Sequence, residues 1–164
     1  MKRWMLGVGF LMAASLAVGQ VREGDVPLRM VQIQNGKPLP SGISVIEVRM
    51  TPVKTVEIAR IVFHCTLHQE FLYKGSDGRE KMKKVEPALF VHREENVKLT
   101  ADLDKYLNFR VDLREPELIK AYGARTFKAG IPATVSKVRM DAQSASGETL
   151  WEVTVPMGQT INFP

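Results

Sequence analysis

Apolar and polar residues alternate along most of this chain with a period of two. The clearest run covers residues 97–103, where every second residue is apolar and the residues between them are polar. Residues 107–113 and 151–155 repeat the pattern. This period places apolar side chains on one face of an extended chain, so the runs predict strands that are half-buried in a sheet.

Turn-forming residues separate the predicted strands. Further strands are predicted at 29–34, 43–50, 87–92, 135–143 and 149–155. Asn35-Gly36 is a strong turn pair and ends the first of them. Residues 144–148 connect the last two as a C-terminal hairpin, and a tight turn or bulge is predicted at Asp104-Lys105.

The longest regular segment is 56–73, where apolar residues fall mainly on one parity. A helical stripe is the competing interpretation, but the many β-branched residues favour a strand that bends midway or divides in two. Residues 74–86 break the pattern and predict a solvated loop or a mobile hairpin tip. One short helix is predicted at 115–123, because Pro116 suits a first helical turn and Gly123 can end one.

These elements predict a mainly β fold. The chain has 164 residues, which suits one domain. About seven strands and one short helix, without alternation of strands and helices, favour an immunoglobulin-like antiparallel β-sandwich over residues 20–164. A closed β-barrel is the alternative.

Residues 1–19 predict a cleavable signal peptide. Lys2 and Arg3 precede an apolar run at 4–18, and Ala17-Val18-Gly19 supplies small residues for cleavage. An uncleaved membrane anchor is the alternative, but the run is about 15 residues long and a spanning helix needs about 20. We therefore expect a periplasmic, extracellular or outer-membrane-associated protein with no transmembrane segment after cleavage.

The charge balance argues against a nucleic-acid partner. The chain carries a formal charge of +5, and loss of Lys2 and Arg3 with the signal peptide reduces this small excess further. The local basic excess at Arg79, Lys81, Lys83 and Lys84 has two interpretations. It is either a contact surface for an acidic partner or an ordinary solvated loop.

Three residues are candidates for chemistry in the long predicted strand: His64, His68 and Glu70. Histidines four apart on a helix can share a zinc ion, but on a strand they lie about 13 Å apart and cannot. We therefore predict no metal site, with His64 and His68 as the weak candidates, and no cofactor.

The sequence contains no recognisable catalytic or cofactor motif. No Gly-x-Ser-x-Gly elbow is present. Cys65 is the only cysteine, and its apolar neighbours predict burial in the core and not a reactive thiolate. The sequence therefore favours a non-enzymatic protein; an enzyme or metal-binding protein with an unrecognised site around His64 and His68 is the alternative.

The segment VSKVRMDAQSASGETLWEVTVP resembles the closing hairpin of secreted bacterial immunoglobulin-like domains. Together with the leader MKRWMLGVGFLMAASLAVG, the chain resembles small envelope proteins associated with type IV pili in gut Verrucomicrobia. The resemblance implies a secreted binding or assembly protein of the cell envelope. A protein partner, or self-association into a homo-oligomer, is then expected.

Overall fold

The computed structural model describes residues 21–22, 25–37, 39, 43–112 and 134–164. Strands make up 74% of this part of the chain, and it contains no helix. It therefore holds no helix that is long and apolar enough to cross a bilayer. The predicted signal peptide at 1–19 and the predicted helix at 115–123 lie outside the described residues.

The described strands form two antiparallel sheets. One sheet has the strand order β1-β8-β7-β4-β5 and the other has the order β6-β3-β2-β9. The strand bounds are β1 Val21–Arg22, β2 Leu28–Asn35, β3 Ser44–Pro52, β4 Val56–Lys74, β5 Glu80–Leu99, β6 Lys105–Val111, β7 Thr134–Gln143, β8 Thr149–Pro156 and β9 Thr160–Asn162. The prediction of an antiparallel, mainly β fold is confirmed, whereas its immunoglobulin-like topology remains a prediction.

One hydrophobic core lies between the two sheets. Alternate residues of the strands are buried in it, as at Trp151, Val153 and Val155 of β8. Phe63 of β4 meets Phe109 of β6 with ring centroids 5.1 Å apart, so the two sheets are in direct aromatic contact. The period of two in the sequence thus corresponds to a buried face and an outer face on each sheet.

The turn between the sheets lies earlier than predicted. β5 ends at Leu99, and residues 100–103 form a tight turn with Asp102 at φ 57°. Leu103, predicted to share the buried face with Leu99, is 63% exposed. The alternation of apolar and polar residues continues through this turn, so the sequence pattern alone does not show that β5 ends at Leu99.

Residues 74–86, predicted to be a solvated loop or a hairpin tip, include the tip of a hairpin, but most of the segment is strand. β5 begins at Glu80, so only residues 75–79 form the turn of a long β4–β5 hairpin. β4 is one continuous strand, and the register of the hairpin shifts between Leu67 and Gln69, opposite Glu86 and Pro87. Pro87 is accommodated at this bulge, where a missing N–H is tolerated. The described residues contain nine strands where about seven were predicted. The predicted strands at 87–92 and 97–103 both belong to β5, and the very short strands β1 and β9 were not predicted.

Candidate functional site

The β4–β5 hairpin extends past the rest of its sheet. β7 pairs with β4 from Arg60 to His68. β4 and β5 remain paired with each other as far as Lys74 and Glu80. Among the described strands, the ribbon formed by residues 69–85 therefore has no third strand beside it, and we call it the arm.

Apolar side chains of the arm are open to solvent. Leu72 and Met82 are cross-strand partners, and they are 55% and 62% exposed. Tyr73 next to them is also exposed. A two-stranded ribbon is only marginally stable by itself in water, and clustered exposed apolar groups are typical of contact surfaces.

The other face of the arm continues the buried face of β4. Phe71 and Tyr73 have the same parity as the core residues Cys65 and Leu67. Phe71, Tyr73, Met82 and Lys83 line an open groove of about 450 Å³. Both faces of the ribbon thus offer apolar surface.

The basic residues singled out in the sequence lie on this arm and its turn. Arg79, Lys81 and Lys83 are exposed, and Lys84 pairs through its backbone with Glu70. The Lys81 ammonium lies 3.0 Å from the Asp77 carboxylate, and the backbone N–H of Arg79 donates to the same carboxylate. These contacts, led by the one from Lys81, lower the pKa of Asp77 and fix the turn.

Positive charges outnumber negative ones on the arm. Between residues 69 and 85 the basic residues are Lys74, Arg79, Lys81, Lys83 and Lys84, and the acidic residues are Glu70, Asp77 and Glu80. The arm therefore combines apolar side chains with a modest basic excess, which complements a surface that is apolar at its centre and acidic at its rim.

His64 lies on the outer face of β4 and contacts β7. Its Nε2 is 2.9 Å from Oδ2 of Asp141, and Arg139 Nη2 is 3.1 Å from the same oxygen. Burial lowers the pKa of His64, outweighing the opposite effect of the Asp141 carboxylate. His64 is therefore neutral at pH 7 and donates one hydrogen bond to Asp141.

The structure does not bring the predicted metal candidates together with further ligands. β4 is a strand and not a helix, and it places His64, His68 and Glu70 on the same face. In the described part of the chain, no three His, Cys, Asp or Glu side chains form a group that could hold a metal ion. His92 lies in a different place, where its ring stacks on Phe109 at a centroid distance of 4.4 Å.

Cys65 is completely buried. It lies between Val138 of β7 and Phe90 of β5 in the sheet register. Burial raises the pKa of the thiol to about 12, so the thiolate that nucleophilic chemistry requires does not form near pH 7. This places Cys65 in the core, as the sequence predicted.

A polar surface on the opposite sheet was missed by the sequence analysis. Its six side chains occupy two cross-strand rows of β2, β3 and β6, and we call them the polar platform: Gln32, Arg49 and Tyr106 in one row, Gln34, Glu47 and Asn108 in the other. They border a groove of about 390 Å³. In the sequence these residues look like the ordinary solvated half of alternating strands, so only the register reveals that they are neighbours.

Asp104 fixes one end of the polar platform. Its carboxylate accepts hydrogen bonds from Thr51 Oγ1 at 2.6 Å, from Arg49 Nε at 2.8 Å and from Tyr106 OH at 3.3 Å. The Thr51 hydroxyl and the Arg49 guanidinium lower the pKa of Asp104. Asp104 therefore stays charged and orients both Arg49 and Tyr106.

No protein-family model and no curated protein match this chain. Among solved structures, the X-ray structure of Northeast Structural Genomics Consortium target SoR45 matches with 9% identity and a TM-score of 0.28, covering 90% of this chain and 88% of that chain. The solution structure of R. palustris CsgH matches with 11% identity and a TM-score of 0.21, covering 80% and 91%. At these TM-scores neither similarity carries an argument about fold or function.

Proposed function

We propose that this chain is a secreted, non-enzymatic binding or assembly protein of the bacterial cell envelope, and that the arm is its contact with a protein partner. The observation that carries the proposal is the exposed pair of Leu72 and Met82 on a ribbon beyond the rest of its sheet. A folded protein gains nothing from exposing this pair on a long ribbon, whereas a partner that covers it removes apolar surface from water.

The backbone of the arm supports the same proposal. Within the described residues, β5 pairs with β4 alone, so its outer edge presents N–H and C=O groups that another strand can pair with. Strand addition provides backbone hydrogen bonds, and side chains such as Met82 and Lys83 supply selectivity. The basic excess of the arm favours a partner with acidic groups around an apolar centre.

Location and assembly are further parts of the proposal. The leader at 1–19 and the resemblance of the closing hairpin to immunoglobulin-like envelope proteins support export and an immunoglobulin-like topology. The same resemblance makes a type IV pilus the assembly that we favour. No observation favours the metal-binding or enzymatic alternative, since His64 is engaged with Asp141 and Cys65 is buried.

Site-specific photo-cross-linking of the full chain in its native cells tests the proposal. A benzophenone amino acid at position 72 should cross-link to one envelope protein, and Met82→Asp should reduce the yield severalfold because it places a charge opposite the probe. Leu150 offers a matched control, since it is another exposed leucine and lies outside the arm.

Three outcomes are informative. A product specific to position 72 supports the arm as a binding site, and if the captured protein is a second copy of this chain, the assembly is a homo-oligomer. Equal products from positions 72 and 150 would show non-specific contact and contradict the proposal. Absence of any product at position 72 would contradict it as well.

A further inference from the structure

The polar platform has the composition of a site for an uncharged, hydroxyl-rich ligand. Its charged members, Glu47 and Arg49, are adjacent on β3 and cancel in formal charge. Its other members are Gln32, Gln34, Tyr106 and Asn108. Amide side chains donate and accept hydrogen bonds, as sugar hydroxyls do, whereas Glu accepts and Arg donates. Asp104, which contacts Arg49 at the end of the platform, adds one negative charge, so the surface does not favour an anionic ligand.

An exposed aromatic ring completes the site. Tyr106 is 66% exposed. The Arg49 guanidinium carbon lies 5.9 Å from the ring centroid, so the ring is held in place while much of it stays open to solvent. An aromatic ring presents a flat apolar surface with a polar hydroxyl at one end, which suits the C–H face and the hydroxyl rim of a pyranose.

We propose that the polar platform binds a neutral oligosaccharide. Tyr106 packs against a sugar ring, and the amides of Gln34 and Asn108, with Glu47, bond to its hydroxyls. The groove of about 390 Å³ falls within the roughly 300–1,000 Å³ of ordinary ligand sites, which leaves room for one or two sugar rings. This activity is separate from the proposed role of the arm, because the arm belongs to the other sheet.

The platform is organised before any ligand arrives. Asp104 bonds to both Arg49 and Tyr106, and Gln34 Nε2 donates to Glu47 Oε2 at 2.8 Å. Side chains that are already fixed lose less conformational freedom on binding, so more of the contact energy remains as affinity.

A protein partner fits this surface less well. The centre of a protein interface is rich in apolar side chains. The platform's outer-face side chains include no aliphatic group, and Val48, which also borders the groove, is almost completely buried. Leu107 borders the groove as well, but it packs against the core. The observations therefore favour a sugar.

Isothermal titration calorimetry of the full chain with neutral hexasaccharides tests the proposal. The probes are linear hexamers of glucose, mannose, galactose and N-acetylglucosamine, with hexagalacturonate as the anionic comparator. We expect millimolar or tighter binding of at least one neutral hexamer. Tyr106→Ala should weaken it by roughly tenfold or more, whereas Tyr106→Phe, which keeps the ring, should change it by less than about threefold.

Further variants separate the sugar site from folding and from the arm. Gln34→Ala is a second exposed variant that should weaken binding without lowering the melting temperature. Leu72→Asp, in the arm, should leave sugar affinity unchanged. Failure of every neutral hexamer to bind, binding of hexagalacturonate alone, or equal affinity in Tyr106→Ala would each overturn the proposal. So would photo-cross-linking of position 106 to a protein.

Discussion

Burial and the neighbouring Asp141 carboxylate shift the pKa of His64 in opposite directions. Burial lowers the pKa of His64, and Asp141 at 2.9 Å raises it, with burial the larger effect. At neutral pH the protonated Nε2 therefore donates a hydrogen bond to Asp141. Nδ1 is buried and makes no hydrogen bond to the described residues. Protonation would bury an N–H at Nδ1 without a partner, which is costly.

This arrangement predicts a loss of stability in mild acid. The pKa of His64 is lower in the folded chain than in the unfolded chain, where it is about 6.5. Above that pH both states are neutral at this residue. As the pH falls below it, the unfolded chain takes up the proton first, so the free energy of unfolding decreases by at most about 1.4 kcal/mol per pH unit.

Urea unfolding at about pH 7.5 and about pH 5.5 measures the effect. His64→Gln retains a donor for Asp141 but cannot be protonated, so its stability should fall less between the two conditions. Thr66→Gln introduces the same side chain on the same face of β4 without removing a histidine, and this control should keep the wild-type response. An identical response in His64→Gln and in the wild type would show that His64 does not carry the effect.

The sequence predicted the burial of some residues correctly but did not predict contacts between strands. The burial of Cys65 followed from its apolar neighbours on one parity. The contact of His64 with Asp141 could not be predicted, because the two residues are far apart in sequence and meet only through the β4–β7 register. The polar platform was missed for the same reason. Sequence patterns reveal which side chains share a face, but not which strands are neighbours.

The arm lies beyond the part of β4 that packs in the core between the two sheets. Along β4 the hydrophobic core extends through Leu67, and Gln69 at the base of the arm is the last completely buried residue. Strand β4 therefore has two structurally different parts. One part packs the core with β7, and the other part carries exposed side chains beyond it.

Shortening the arm should therefore leave the fold intact. Replacing residues 72–82 with Asn-Gly joins Phe71 to Lys83 through a two-residue hairpin turn, and these two residues are already cross-strand partners. We expect the free energy of unfolding to change by less than about 1 kcal/mol, while cross-linking to the envelope partner is lost. A much larger destabilisation, measured by urea unfolding, would show that the arm belongs to the cooperative core.

Element boundaries were harder to predict than element types. Alternation identified segments of β4, β5, β6, β7 and β8 as strand. It failed at residues 100–103, where the polar-apolar pattern continues through a turn that Asp102 makes by adopting positive φ. It also failed at 80–83, where exposed charged residues alternate with a single apolar residue, Met82, and so lack the apolar face by which a strand is recognised.

The whole molecule depends on one core shared by both sheets. Phe63 contacts Phe109 across the two layers, and Cys65 follows two residues further along the same buried stripe. Exposure of Cys65 therefore requires separation of β4 from the opposite sheet. The only thiol of the chain thus serves as a reporter of global unfolding.

Thiol labelling should consequently follow unfolding. Its pKa of about 12 and its complete burial protect Cys65 in the native state. We expect an aromatic disulfide reagent to react slowly in buffer and to accelerate with urea in proportion to the unfolded population. Cys65→Ser abolishes the signal and is the control. Rapid stoichiometric labelling in buffer would show that the core opens locally and would contradict this prediction.

β9 pairs with β2, so one of the two sheets is complete only when both strands have come together. Met30 pairs with Asn162, so this sheet joins segments near the two ends of the chain. Bringing distant segments together has an entropic cost that neighbouring segments avoid, and three hairpins here connect strands adjacent in sequence. Unless residues 160–162 are available to pair with β2, the second sheet therefore stays incomplete.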